Sequence, residues 1–327
     1  MIITRSPLRI SLGGGGTDLP SYYSKEEGFL IAAAINKYVY ISLNENFSDE
    51  IILKYSSFEK TKDINAIRHP IFRECIRKLG LKNESLEIVS MADIPAGTGL
   101  GSSGSFTTSL LKALYVYKGN LISTEELAEE ACAVEIDILN EPVGKQDQYI
   151  ASYGGLRCFK FNKDGRVDTW QLNVSKNTLE DLEENLLLFY TGLSRSASEI
   201  LKDQKQRSEK SDKEIIRNLN EIKKMGLDTK IILESGNINA FTEIMNEHWE
   251  KKKQRSRDMS NQKIDELYNI GINNGARSGK IIGAGGGGFL MFYASDKLSL
   301  RNKMVSLGIR EVKFNFDHDG TKSITYE

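Results

Sequence analysis

Pro95-Ala96-Gly97-Thr98-Gly99-Leu100-Gly101-Ser102-Ser103-Gly104 is the stretch on which the reading of this chain turns. Before it, Leu86 to Ala92 has the composition of a strand. After it, the pattern from about Ser102 to Tyr117 reads as a helix that Gly119 ends. A helix start offers unpaired N–H groups and the positive end of the helix dipole. Glycines let the backbone approach an anion with no Cβ in the way, and the two serines can cap the helix or offer hydroxyls to a phosphate or a metal. Two better-known phosphate loops do not fit. A Walker A loop requires Gly-Lys-Ser/Thr, and no lysine is present here. A dinucleotide fingerprint runs G-x-G-x-x-G, whereas Gly97, Gly99 and Gly101 run G-x-G-x-G, well inside the chain.

Two further glycine runs flank this loop at a distance. Gly13-Gly14-Gly15-Gly16-Thr17-Asp18 follows a short alternating strand over residues 2–12, and Gly285-Gly286-Gly287-Gly288 lies between strand patterns at 279–283 and 289–293. Consecutive glycines cost backbone entropy, so close approach to a ligand or another loop explains them better than packing alone; a plain hairpin also fits the second run. Between them lies Glu135 to Gln148, EIDILNEPVGKQDQ. Glu135 falls late in a helix that Thr124 opens, Pro142 and Gly144 break it, and Asp147 comes from a turn or the start of the next element. A carboxylate there can bind Mg²⁺ or take a proton from a hydroxyl nucleophile. From spacing alone, a helix-capping Asp147 and a solvated Glu135 fit better.

Composition narrows the class. The chain has 327 residues, 39% hydrophobic and 27% charged, and a formal net charge of −1. It is long enough for two domains with real cores and has no basic field for a nucleic acid backbone. Cys75, Cys132 and Cys158 are odd in number and widely spaced, which suits scattered, reduced thiols, in the core or on the surface, of a cytoplasmic protein rather than a disulfide or zinc framework. The start has no apolar signal core, and the most apolar stretch, residues 28–43, is interrupted by Asn36 and Lys37, so no membrane partner is expected. Strands are expected at 29–43 and 51–55, a helix at 68–80, and a hairpin of 153–161 with 166–172 around Asp164-Gly165. Leu186 to Tyr190 is a further strand. Charged helical patterns at 195–225 and 237–258 read as solvated faces, and a helix follows at 261–274. The polar stretch from about Val174 to Asn185 serves as the boundary between domains at 1–180 and 181–327. Interleaved strands and helices make the class α/β or α+β in two lobes.

Taken together, three segments resemble a known family. PAGTGLGSSGS is similar to the phosphate loop of the GHMP kinases, PLRISLGGGGTDLPSYY to their N-terminal substrate motif, and KIIGAGGGGFLMFY to their C-terminal glycine motif, in the family's order and across nearly the whole chain. GGGGTDLP, RHPIFRE, GKQDQYIASYGG and YTGLSRSASEIL look closest to the D-glycero-D-manno-heptose 7-phosphate kinases. Galactokinases carry Gly-Glu-His-Thr-Asp where this chain has Gly14-Gly15-Gly16-Thr17-Asp18. The resemblance implies an α+β fold, with a left-handed βαβ unit in the N-terminal lobe, a ferredoxin-like C-terminal lobe and the active site between them. It implies ATP and Mg²⁺ as cofactors and a sugar phosphate as substrate, and it leaves a homodimer open. Another sugar 1-kinase, fucokinase-like or galactokinase-like, and a non-catalytic sensor on the same fold are the alternatives.

The resemblance also implies roles. Pro95, Gly97, Gly99, Leu100, Gly101, Ser102 and Ser103 hold the triphosphate; Ser103 and Glu135 ligate Mg²⁺; Asp147 is the base; Arg9 neutralises developing charge. Gly16, Thr17 and Asp18 meet the sugar, and Gly286 and Gly287 border it while residues 285–288 buttress the phosphate loop. A cation beside Asp147, Arg9 or Lys145, would keep it ionised. An acceptor that already carries a phosphate needs a second anion site, for which the sequence offers Arg195 in a strand-to-helix turn, helped by Lys252 one helical turn after His248.

Overall fold

In a computed structural model that describes residues 1–81, 84–193 and 197–326, the strands form two sheets. The first contains β1 (Ile2–Gly13), β2 (Gly28–Glu45), β3 (Ile51–Lys54), β4 (Phe58–Thr61), β5 (Leu86–Ala92), β6 (Leu156–Phe161) and β7 (Val167–Gln171). β2 is its spine. It pairs with β1 along one edge, while its first half pairs with β6 and its second half with β5 on the other. The alternation in β1 does two jobs at once. Leu8, Ile10 and Leu12 enter the core, so Arg9 and Ser11 point the opposite way, onto the wall of a cleft.

The second sheet contains β8 (Leu186–Tyr190), β9 (Ala276–Ile281), β10 (Phe289–Ala294) and β11 (Arg310–Val312), all antiparallel, in the order β11-β8-β10-β9. Counted along the chain this is 4-1-3-2, the split βαβ arrangement of ferredoxin-like domains, as expected. A last strand, β12 (Lys322–Tyr326), crosses the boundary drawn near residue 180 and pairs with the outer edge of β1.

The helices are α1 (Pro20–Glu26), α2 (Pro70–Lys78), α3 (Ser102–Tyr117), α4 (Thr124–Cys132), α5 (Gln146–Tyr153), α6 (Lys176–Asn185), α7 (Ala197–Glu209), α8 (Lys213–Glu234), α9 (Ile238–Arg255), α10 (Gln262–Asn273) and α11 (Lys297–Ser306). α3 lies on β1 through small polar residues: Ser105 Oγ donates to Pro7 O at 2.7 Å and Thr108 Oγ1 to Ser6 Oγ at 3.0 Å. That close seat fixes the N-terminus of α3 against Arg9, whose backbone N–H donates to Leu100 O at 2.9 Å. α4 begins with a capping box, Ser123 with Glu126, and ends by widening into a π-helical turn over 133–138 that carries Glu135.

Three expectations change. The polar stretch read as a boundary is helix α6, capped by Ser175. The charged run is, from Ala197 onward, two helices, separated at Ser211 (φ 55°) and restarted by Asp212, whose carboxylate accepts from Glu214 and Ile215 N–H. α9 is not a solvated face: Phe241, Met245, Trp249 and, with them, His248, Lys252 and Arg255 are buried. All three cysteines are buried and reduced. Among the described residues no helix is long and apolar enough to cross a membrane.

Candidate active site

A cavity of about 610 Å³ opens between the two sheets' layers, and the glycine-serine loop forms one of its walls. The loop's spacing has a plain backbone cause. Gly97, Gly99 and Gly101 take φ of 77°, 84° and 80°, left-handed at every second residue, which L side chains resist. Gly101 is the N-cap of α3, with no side chain capping the helix. The serines therefore do not serve as caps: Ser102 faces the cavity, and Ser103 Oγ donates instead to Glu135 Oε2 at 2.5 Å. The first N–H groups of α3 are left for a ligand.

The late glycine run leans on this loop backbone to backbone. A Cβ on Gly288 would lie 2.1 Å from Thr98 O, and one on Gly283 would lie 2.5 Å from Gly99 O. Gly283 and Ala284 line the cavity. Gly286 and Gly287 do not: Gly286 N–H donates to Met259 O, and Gly287 abuts Leu193, so they turn the chain rather than border the cavity.

Asp147 is the second residue of α5, brought to the loop because Gly104 has no side chain; a Cβ there would sit 2.8 Å from the Asp147 backbone. Arg9 clamps the carboxylate as a fork, Nε to Oδ1 at 2.7 Å and Nη2 to Oδ2 at 2.9 Å. Its Nη1 donates to Gly99 O at 2.5 Å. One guanidinium thus sets the carboxylate and the glycine-serine loop relative to each other. Lys145, the other cation considered, turns away to Glu129.

Glu135 is fully buried, 1% exposed, which removes the reading of it as a solvated acid. Its Oε1 accepts from Gln148 Nε2 at 3.0 Å and its Oε2 from Ser103. Burial pushes the carboxyl up to about 7, against hydrogen bonds from Ser103 and Gln148 that pull it down. The folded protein therefore holds this proton more tightly than the unfolded chain, whose carboxyl titrates near 4.5. Stability from this group is present below 4.5 and lost as pH rises through 7, by up to about 3 kcal/mol. In metal-free buffer Glu135→Gln should show a smaller fall in Tm between pH 5 and 8 than wild type. Parallel melting curves for the two proteins across that range would contradict this.

Asp18 sits across the cavity. Gly16 N–H and Gln146 N–H hold its carboxylate at 3.1 and 3.2 Å, and burial, then the Asp147 charge, raises its pKa. Gly144 gives it room, since a Cβ there would fall 2.0 Å from Asp18 Oδ2. Gly16 also lines the cavity. Thr17 does not; its hydroxyl, fully buried, donates to Gly14 O and Phe29 O and ties the turn together. Leu100 likewise belongs to the core, and only its carbonyl serves the site, by holding β1. Lys252 lines the cavity but donates to Ile281 O and Gly283 O, at 3.0 and 2.5 Å. Arg195 lies outside the described residues. Lys280 and Arg255, which the sequence reading passed over, are buried on the same wall.

Comparison with known proteins agrees with this geometry. The family profile described as "GHMP kinases N terminal domain" matches residues 65–155, and that described as "GHMP kinases C terminal" matches 230–307, together just over half of the chain. The chain belongs to the GHMP kinases and is an ATP-dependent phosphotransferase. It is 28% identical, over 98% of both chains, to the D-glycero-alpha-D-manno-heptose 7-phosphate kinase of Campylobacter jejuni. It is 23% identical over 89% of its length to a bifunctional fucokinase/GDP-fucose pyrophosphorylase of Arabidopsis thaliana, of which it spans 29%. Two solved structures share the fold. One is a D-glycero-D-manno-heptose 1-phosphate kinase from Bacteroides thetaiotaomicron (TM-score 0.79, 24% identity, all of both chains). The other is the Lactococcus lactis galactokinase with galactose (TM-score 0.75, 15% identity, 99% and 95% covered).

Proposed function

We propose that the chain phosphorylates the anomeric hydroxyl of D-glycero-D-manno-heptose 7-phosphate with ATP, giving the 1,7-bisphosphate. The observation that carries the reading is the placement of the Arg9–Asp147 pair between the open N-terminus of α3 and Asp18. The 28% identity over 98% of the chain to a kinase of that name selects the sugar. Residues 97–103 and the first N–H groups of α3 receive the triphosphate, with Pro95 beside them. Asp18 reads ring hydroxyls. Asp147, held by Arg9, accepts the hydroxyl proton late, as the phosphorus–oxygen bond forms. A fixed carboxylate suffices, because in a loose transition state the nucleophile need not be deprotonated first. Arg9 also offsets charge on the transferring group.

The cavity wall beside the loop fits Mg²⁺. Ser103 and Glu135 both line it and meet there with hard oxygen donors. When bound there, the ion would neutralise phosphate charge. Glu135 and Ser103 would be its protein ligands, and the cation would bring the Glu135 carboxyl back to its ionised form.

An ADP-release assay with heptose 7-phosphate, mannose, fucose, galactose and mevalonate tests the reading. Heptose 7-phosphate should give the highest kcat/KM. A higher value with fucose or galactose would replace it by another sugar 1-kinase, and no ADP release with any acceptor would favour a sensor.

A further inference from the structure

The C-terminal wall of the cavity gathers positive charge with nothing negative bonded to it. His248, Lys252 and Arg255 follow one another at i, i+4 and i+7 on α9, so they share a face, and Lys280 on β9 joins them. Each is at most 7% exposed and each lines the cavity. Their partners are neutral oxygens. Lys280 Nζ donates to Leu12 O at 2.7 Å, and Lys252 Nζ to Ile281 O and Gly283 O. Arg255 donates to Asn218 Oδ1, Gln204 Oε1 and Gly15 O at 3.3, 3.2 and 3.1 Å. Among the described residues none of the four forms an ion pair with a carboxylate. Both ring nitrogens of His248 are buried without a partner.

Such a cluster is expensive unless something compensates it. Burial, and then the Lys280, Lys252 and Arg255 charges, holds His248 well below the ordinary imidazole value; burial brings Lys280 down to about 7. An anion entering here would reverse those penalties. The triphosphate already has a place at the loop and the start of α3. The cluster instead adjoins the first glycine turn: Arg255 bonds Gly15, would meet any Cβ on Gly16, and is stabilised by the Asp18 charge. It therefore stands on the acceptor's side. A phosphate monoester, carrying about −1.5 to −2 charges and three acceptor oxygens, matches the unspent ammonium protons and the imidazole N–H of His248.

We infer that His248, Lys252, Arg255 and Lys280 form a phosphate-monoester site that holds the non-reacting phosphate of the acceptor. The inference rests on the reading that the acceptor is a sugar phosphate, and it moves the weight of phosphate recognition from Arg195 to α9 and β9.

The chain has three histidines, so the imidazole ¹⁵N–¹H spectrum is simple, and His248→Phe assigns the signal. With the nucleotide site filled by a nonhydrolysable ATP analogue, inorganic phosphate should shift the His248 resonances of wild type and fail to do so in Lys280→Met. In kinetics, Lys280→Met should raise KM for heptose 7-phosphate by about 10- to 150-fold, the loss of one charge-assisted contact, and leave KM for ATP unchanged. If Lys280→Met does not fold, His248→Phe carries the kinetic test, since it gives up no internal hydrogen bond; its KM should rise in the same selective way. Unmoved His248 signals, an unchanged KM for heptose 7-phosphate, or an equal rise in KM for ATP would each overturn the site. If wild type does not use heptose 7-phosphate but phosphate still shifts His248 in a Lys280-dependent way, the sugar assignment fails and the phosphate site stands.

Discussion

Asp147→Asn should lower kcat by ~10²–10⁴-fold, the usual cost of losing a general base, while nucleotide still binds. The expectation is sharpened by the Arg9 fork. Both carboxylate oxygens receive guanidinium N–H groups, at 2.7 and 2.9 Å. An asparagine amide has one acceptor and one donor, so its NH₂ would face Arg9 with like polarity and the clamp would open. The variant therefore loses both the proton acceptor and its alignment. Single-turnover ADP formation measures the chemistry, and titration with a fluorescent nucleotide measures binding. Retention of more than half the wild-type kcat would remove Asp147 from the reaction.

Arg9→Met should be nearly as damaging, at about 10²–10³-fold in kcat, the scale of removing one preorganised donor from a developing charge. The side chain is almost wholly buried and serves Asp147 and Gly99 O together. Arg9→Lys restores charge without the planar fork, so it should recover only part of the loss. A lysine variant equal to wild type would show that charge alone is used and that the fork is incidental. A methionine variant with unaltered kcat would place Arg9 in the fold rather than the reaction.

The glycine-serine turn and the strand-to-helix order around it were legible in the sequence because they depend on local backbone demands. Three glycines at alternate positions answer to three left-handed φ values, and the Leu86–Ala92 strand and Ser102–Tyr117 helix run as read. Asp147 and Glu135 were legible only through the family resemblance. Their spacing fitted surface roles, and what sets them apart is the burial of Glu135 and the convergence of the two with Arg9, Ser103 and Gln148, contacts that span 13 to 138 residues. The glycines were over-read. Thr17, Gly286 and Gly287 share motifs with cavity residues, but Thr17 bonds within its turn, Gly286 bonds Met259 and Gly287 packs on Leu193. The basic face of α9 was under-read. Its period was visible in His248, Lys252 and Arg255, yet a run of lysines is usually solvated. Only Phe241, Met245 and Trp249, interleaved at helical spacing, signalled that this helix is enclosed.

The return of β12 to β1 bears on how the molecule is made. Ile3 pairs with Thr325, so the strand that presents Arg9 is flanked by a segment about 320 residues downstream. At ~5–20 residues per second, a ribosome delivers that partner tens of seconds after β1 emerges. Until then β1 has a bare edge, open to any passing strand. The two lobes are thus not independent folding units in time: the sheet that presents Arg9 is completed by a strand that follows the ferredoxin-like lobe in the chain, so its edge closes only after that lobe has been made.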